Sequence, residues 1–119
     1  MIQKKSLKEA IKNPEIISVV GGLLGNPLSY KGNATGLWKN LDSGIYKVDT
    51  ISEDGPSDAY QYGVLIVING DKTNGHGMLI YKPVGTTGSN SNKLYINSLV
   101  NYSGSISLRG WEIYTSTYL

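Results

Sequence analysis

Tyr62-Gly63-Val64-Leu65-Ile66-Val67-Ile68-Asn69 is a continuous apolar run dominated by branched aliphatics. Its length and β-branching predict a strand, and the absence of polar residues on alternate positions predicts one buried on both faces at the centre of a sheet. Asn69-Gly70 ends the run as a tight-turn dipeptide, and Asn74-Gly75 follows a few residues later.

Outward from this run the period stays at two and turn residues recur at short intervals. Gly44–Ile51 alternates Tyr46, Val48 and Thr50 against Ile45, Lys47, Asp49 and Ile51. Met78–Val84, Lys93–Val100, Gly104–Arg109 and Trp111–Thr117 read as further strands. Between them lie an acidic loop (Ser52–Ala59), a polar loop with the only His (Gly70–Gly77), and a Gly/Thr/Ser/Asn loop (Gly85–Asn92). The expected fold is mainly β: a compact antiparallel β-sandwich-like knob over 30–119, preceded by a short N-terminal helical region.

Residues 1–29 differ in kind. They hold no aromatic residue, and Lys4, Lys5, Lys8 and Lys12 against Glu9 and Glu15 give a net +2, the whole formal charge of the chain. Ser6-Leu7-Lys8-Glu9 fits a capping box. Asn13-Pro14-Glu15 fits a second helix start, and Ile16, Val19, Val20, Leu23 and Leu24 then follow at amphipathic helical spacing until Gly25-Asn26-Pro27. Glu9, Pro14 and Glu15 interrupt any signal-peptide pattern. The apolar stretch Ile16–Leu24 is far short of the ~20 residues that span a bilayer, so membrane insertion is not expected. These aliphatics either cover the sheet of the body or bury against other copies. The number of large side chains favours the second, with Leu7, Ile11, Ile16, Ile17, Val20, Leu23 and Leu24 as oligomerisation residues.

The body carries no basic excess, so the alkaline pI does not argue for nucleic acid. With no Cys and one His, thiolate chemistry and sites needing two imidazoles are excluded, and neither metal nor cofactor is expected. Glu53, Asp54 and Asp58 sit in a turn-rich loop where solvated charges are the ordinary reading. No Gly-x-Ser-x-Gly elbow accompanies His76. The chain is therefore not expected to be an enzyme. Tyr, Ser, Gly and Asn make up 47 of 119 residues, the set that suits wet binding surfaces, and sugars ask for the same flat aromatic faces with polar groups around them. The candidate ligand-binding residues are Asp58 and Tyr60 before the central strand, Asp71, Asn74 and His76 after it, and Trp111.

From Tyr30 onward a family likeness is carried by Tyr30-Lys-Gly, Leu41-Asp-Ser-Gly44-Ile45-Tyr46, the acidic Pro-containing loop Glu53–Tyr60, Tyr62–Val67, Met78-Leu-Ile-Tyr81, Lys93-Leu-Tyr95-Ile96 and Trp111-Glu-Ile-Tyr114. In order and spacing these resemble the pyocin-knob-like domains of bacteriophage tail fibres and baseplate receptor-binding devices. Two positions depart from that pattern: Asn97 stands where such domains often carry Arg, and Tyr114 where they often carry a second Trp. The resemblance implies a homotrimeric virion component of a phage or prophage tail or baseplate, with a helical stem on the three-fold axis and β-rich heads. It implies adhesion to a bacterial cell-surface saccharide alongside other tail or baseplate proteins. The alternatives are a structural adaptor that binds only virion proteins, and a carbohydrate-binding module of a hydrolase.

Overall fold

A computed structural model of the chain describes residues 28–71, 73–85 and 90–117. Both predicted helices, and with them all seven proposed oligomerisation residues, lie outside the described residues. The rest is mainly β, as the periodicity predicts. Seven strands form a single open mixed sheet: β1 (Tyr30–Asn33), β2 (Gly44–Val48), β3 (Gly63–Asp71), β4 (His76–Pro83), β5 (Lys93–Tyr102), β6 (Ser105–Leu108) and β7 (Glu112–Thr115). They are ordered β1-β2-β3-β4-β5-β6, with β7 also paired to β5. From β2 to β6 every pairing is antiparallel between neighbours in sequence, because short connections return each strand beside the last.

The described strands thus make one layer where the sequence suggests a sandwich-like pair. A second departure is β1, which was not foreseen as a strand and runs parallel to β2. The chain between them crosses one face of the sheet, carrying a 3-10 turn at Trp38–Asn40.

That face is the core. Tyr46, Leu65, Tyr81 and Tyr95 are register partners across four strands, with Val67, Leu79 and Asn97 forming the next row. All seven are buried. What covers them is irregular chain rather than a second sheet: Trp38 from the 3-10 turn, Ile51 and Ala59 from the β2–β3 loop, and Trp111 before β7. Trp38 stacks tilted on Tyr81 at 5.3 Å between ring centres and meets Trp111 edge-on at 5.9 Å. Tyrosine does the work that Phe does elsewhere, because two of the buried phenols reach main-chain carbonyls. Tyr46 donates to Asp42 O at 2.6 Å and Tyr81 to Tyr60 O at 2.6 Å.

The opposite face carries Ile45, Ile66, Ile80 and Ile96 as one row across β2, β3, β4 and β5. All four are half-buried, while Val64, Ile68 and Met78 on the same face are 37%, 37% and 40% exposed. The expectation that Tyr62–Asn69 is buried on both faces is therefore corrected: β3 buries only its Gly63/Leu65/Val67 side among the described residues. The run is apolar on both sides, yet no described element packs over the second.

One turn also differs from its reading. β3 does not stop at Asn69-Gly70. It continues to Asp71 through a register shift, and residues 73–75 form a turn before β4. Gly75 there has φ +76°, and a Cβ would collide with the backbone of Val100 and Asn101. Asn69 is instead occupied in tying the hairpin to the loop before β2: its amide donates to Ser43 Oγ and its Nδ2 to Leu41 O.

Candidate binding site

The six candidate residues fall into separate places. Asp58 and Tyr60 lie where β3 begins; Asp71, Asn74 and His76 lie where it ends. The eight residue steps from Gly63 to Asp71 separate the two loops by about 27 Å. They do not form one site.

The far loop is occupied with its own geometry. The Asp71 carboxylate accepts from the Asn74 main-chain amide at 3.2 Å and from Asn74 Nδ2 at 2.7 Å. The side-chain bond to Asn74, then the main-chain one, holds the Asp71 carboxyl below the usual range. His76 is exposed and pairs with Asp71 in the ladder. These residues build a turn.

Trp111 is likewise committed. It is half-buried against the core, and its Nε1 donates to Asp54 O at 2.9 Å. Its ring braces Trp38 rather than standing open as a stacking platform.

The near loop offers more. Tyr60 and Tyr62 stand edge to face with ring centres 5.5 Å apart, and Tyr62 is 44% exposed. Beside them in the chain, Asp58 meets Lys93 Nζ at 3.8 Å, and its carbonyl accepts from Asn90 Nδ2 at 3.0 Å. Beneath lie Tyr81 and Tyr95, 6.2 Å between centres. Gly63 makes this stacking possible: a Cβ there would stand 2.5 Å from the Tyr81 hydroxyl and 2.6 Å from Lys82 O. Tyr95 Oη is buried with no hydrogen-bond partner, as is Asn97 Nδ2 two residues on. This end of the sheet therefore combines an exposed Tyr62 and a half-buried Tyr60 with a carboxylate, an ammonium and an amide, above a buried phenol. Such a surface can hold a polar ligand having apolar C–H faces.

The phenols give a pH dependence. Burial first, then the carboxylate of Asp58, raises the Tyr95 hydroxyl above its ordinary value of 10.0. Burial, then the neighbouring Tyr95 and Tyr60, raises Tyr81 further, and burial with Asp42 raises Tyr46. Above pH 10 the unfolded chain releases these protons while the folded chain keeps them, so folding binds protons and stability falls as pH rises. Each of the three is expected to contribute a slope of about 1.4 kcal/mol per pH unit between its unfolded and folded values. Urea unfolding across pH 9 to 12 checks it: a flat profile would mean the phenols ionise freely in the fold.

Sequence reasoning missed two residues that shape the site. Asp54, read as a solvated acid, accepts from Trp38 N and Lys39 N at 2.9 Å each and from Ser52 Oγ at 2.6 Å. It pins the loop to the 3-10 turn across 16 residues of chain. Asn97, noted only as a departure from a family pattern, is 1% exposed. Its Oδ1 accepts from Ser98 N and Gly110 N, holding the break between β6 and β7. A side-chain amide inside an apolar strand run is a signal for such a role, whereas nothing local marks Asp54.

No family model, curated protein or solved structure matches the chain. Function is therefore argued from the site. Among the described residues there is no group of His, Cys, Asp or Glu placed to hold a metal ion. No helix among them is long and apolar enough to cross a membrane.

Proposed function

We propose that the chain is a non-enzymatic binding knob, a phage or prophage tail or baseplate component that attaches the virion to a bacterial surface saccharide. The observation that carries this reading is the edge-to-face Tyr60–Tyr62 pair, with Tyr62 exposed, beside Asp58, Asn90 and Lys93. A sugar ring presents apolar C–H groups to an aromatic face and hydroxyls to carboxylate and amide. The acids nearby are already engaged, Asp54 with main-chain amides and Asp58 with Lys93, which favours recognition over acid–base chemistry. Single shallow sites of this kind bind weakly, and a homotrimer on the virion would multiply them through effective concentration. A second layer over the isoleucine face, which a sandwich-like knob requires, belongs to the same reading.

The test is titration of the full chain with fragments of host cell-wall and capsular glycans. Tyr62→Ala is expected to weaken binding roughly tenfold, or about 1.4 kcal/mol. Its unfolding free energy should fall by no more than about 1.5 kcal/mol, the loss of one aromatic pair, so the variant stays folded for the titration. Equal binding by wild type and variant would remove the aromatic pair from the site. No binding across the panel would favour the adaptor reading, in which the chain binds only other virion proteins.

A further inference from the structure

The isoleucine face is an apolar face that no described element covers. Ile45, Ile66, Ile80 and Ile96 run straight across four strands, flanked by the exposed Val64, Ile68 and Met78. We propose that it is covered by residues 16–24 of the same chain, laid as an amphipathic helix across the row.

Three observations favour this occupant. The first is where the chain enters the sheet: Ser29 O accepts from Ile45 N at 2.9 Å, and Tyr30 is the register partner of Ile45. The chain preceding β1 therefore arrives at one end of the isoleucine row. The second is length. Four strands at about 4.8 Å spacing make a row about 14 Å long, and nine helical residues at 1.5 Å rise span about 13.5 Å. The third is pattern. Ile16, Val19, Val20, Leu23 and Leu24 form one stripe, with Ser18 on the opposite side, so the segment has one face to bury and one to leave wet. Residues 25–28 can reach about 13 Å when extended, enough to turn the helix over the sheet edge. Short connections place successive elements side by side, and a helix on one face of a sheet is a standard two-layer solution. Contacts between copies then fall to Leu7 and Ile11. The inference stands apart from the saccharide reading, since it concerns the other face of the sheet.

The chain has no Cys, so a pair of introduced thiols reports directly. Leu23→Cys combined with Ile80→Cys, in the full chain under mild oxidation, is expected to give an intrachain disulfide whose yield does not change on dilution. An intramolecular partner sits in the mM range of effective concentration, so at micromolar protein this product should form about 1,000-fold faster than an interchain one. Ser18→Cys with Ile80→Cys should cross-link weakly. Should the Ile80 variant fold poorly by circular dichroism, Met78→Cys, on the same face and more exposed, replaces it. An interchain product, no product, or equal yields from Leu23 and Ser18 would each overturn the proposal. Failure of glycan binding would leave it intact.

Discussion

Replacing Trp38 with alanine is expected to lower the unfolding free energy by about 3–5 kcal/mol, the range for deleting a buried aromatic side chain. A domain of this size has only about 5–15 kcal/mol to lose, so the variant should be close to unfolding at physiological temperature. Trp38 is 1% exposed and bridges Tyr81 below and Trp111 beside it. Its neighbours cannot close the gap easily: Gly55 sits so near that a Cβ there would approach the Trp38 ring to 3.1 Å and Ile51 to 2.6 Å. Among the described residues no second β layer lies over this face to share the loss. Urea unfolding followed by circular dichroism measures the effect. A loss below about 1 kcal/mol would mean that the loop collapses into the space and that Trp38 is not the keystone of this corner.

Asp54→Ala is expected to cost about 2–4 kcal/mol, because it strands two main-chain amides that share one carboxylate and leaves the Ser52 hydroxyl without its acceptor. Asp54→Asn should recover little. Its carbonyl oxygen can serve Trp38 N, yet its amide nitrogen then faces the Lys39 N–H, donor against donor. Ser52→Ala removes one hydrogen bond and should cost about 1 kcal/mol. The two Trp are both at this corner, so the intrinsic fluorescence of the folded variant should shift to the red as Trp38 gains water. If Asp54→Ala matches Ser52→Ala in stability, the carboxylate is a passenger on the loop.

The two cases show which parts of the molecule are written locally. Strands β2 to β7 were legible because alternation, Gly and Asn punctuate the chain at short range; β2 ends three residues before its predicted end, and β3, β4, β5 and β7 each depart by two residues at one end. Which face of β3 is buried was not legible, since an all-apolar run leaves both sides equivalent until a neighbour packs on one. Nor was Asp54, whose partners lie 15 and 16 residues away on a turn of three residues. The tyrosines misled in part. Tyr46, Tyr81 and Tyr95 are core residues rather than wet ones, because carbonyls of Asp42 and Tyr60 take two of their hydroxyls into the interior. For the candidate site, selecting polar loop residues named Asp58 and Tyr60. It grouped them with Asp71, Asn74 and His76, although loops before and after one strand must lie at its two ends. Tyr62, the exposed ring of the pair, was read only as the start of the strand.

The outer side of β5 has a consequence of its own. A ten-residue strand is paired there not by one long partner but by two four-residue pieces, with Arg109, Gly110 and Trp111 between them and Asn97 holding the gap. At the other margin, β1 is also four residues long. The interior strands run eight to ten residues from β3 to β5, yet a passing chain meets only short, interrupted edges. Long flat edges are what template strand addition and fibril growth. The described sheet, with one apolar face and open margins, thereby offers little for a neighbouring chain to extend by strand addition.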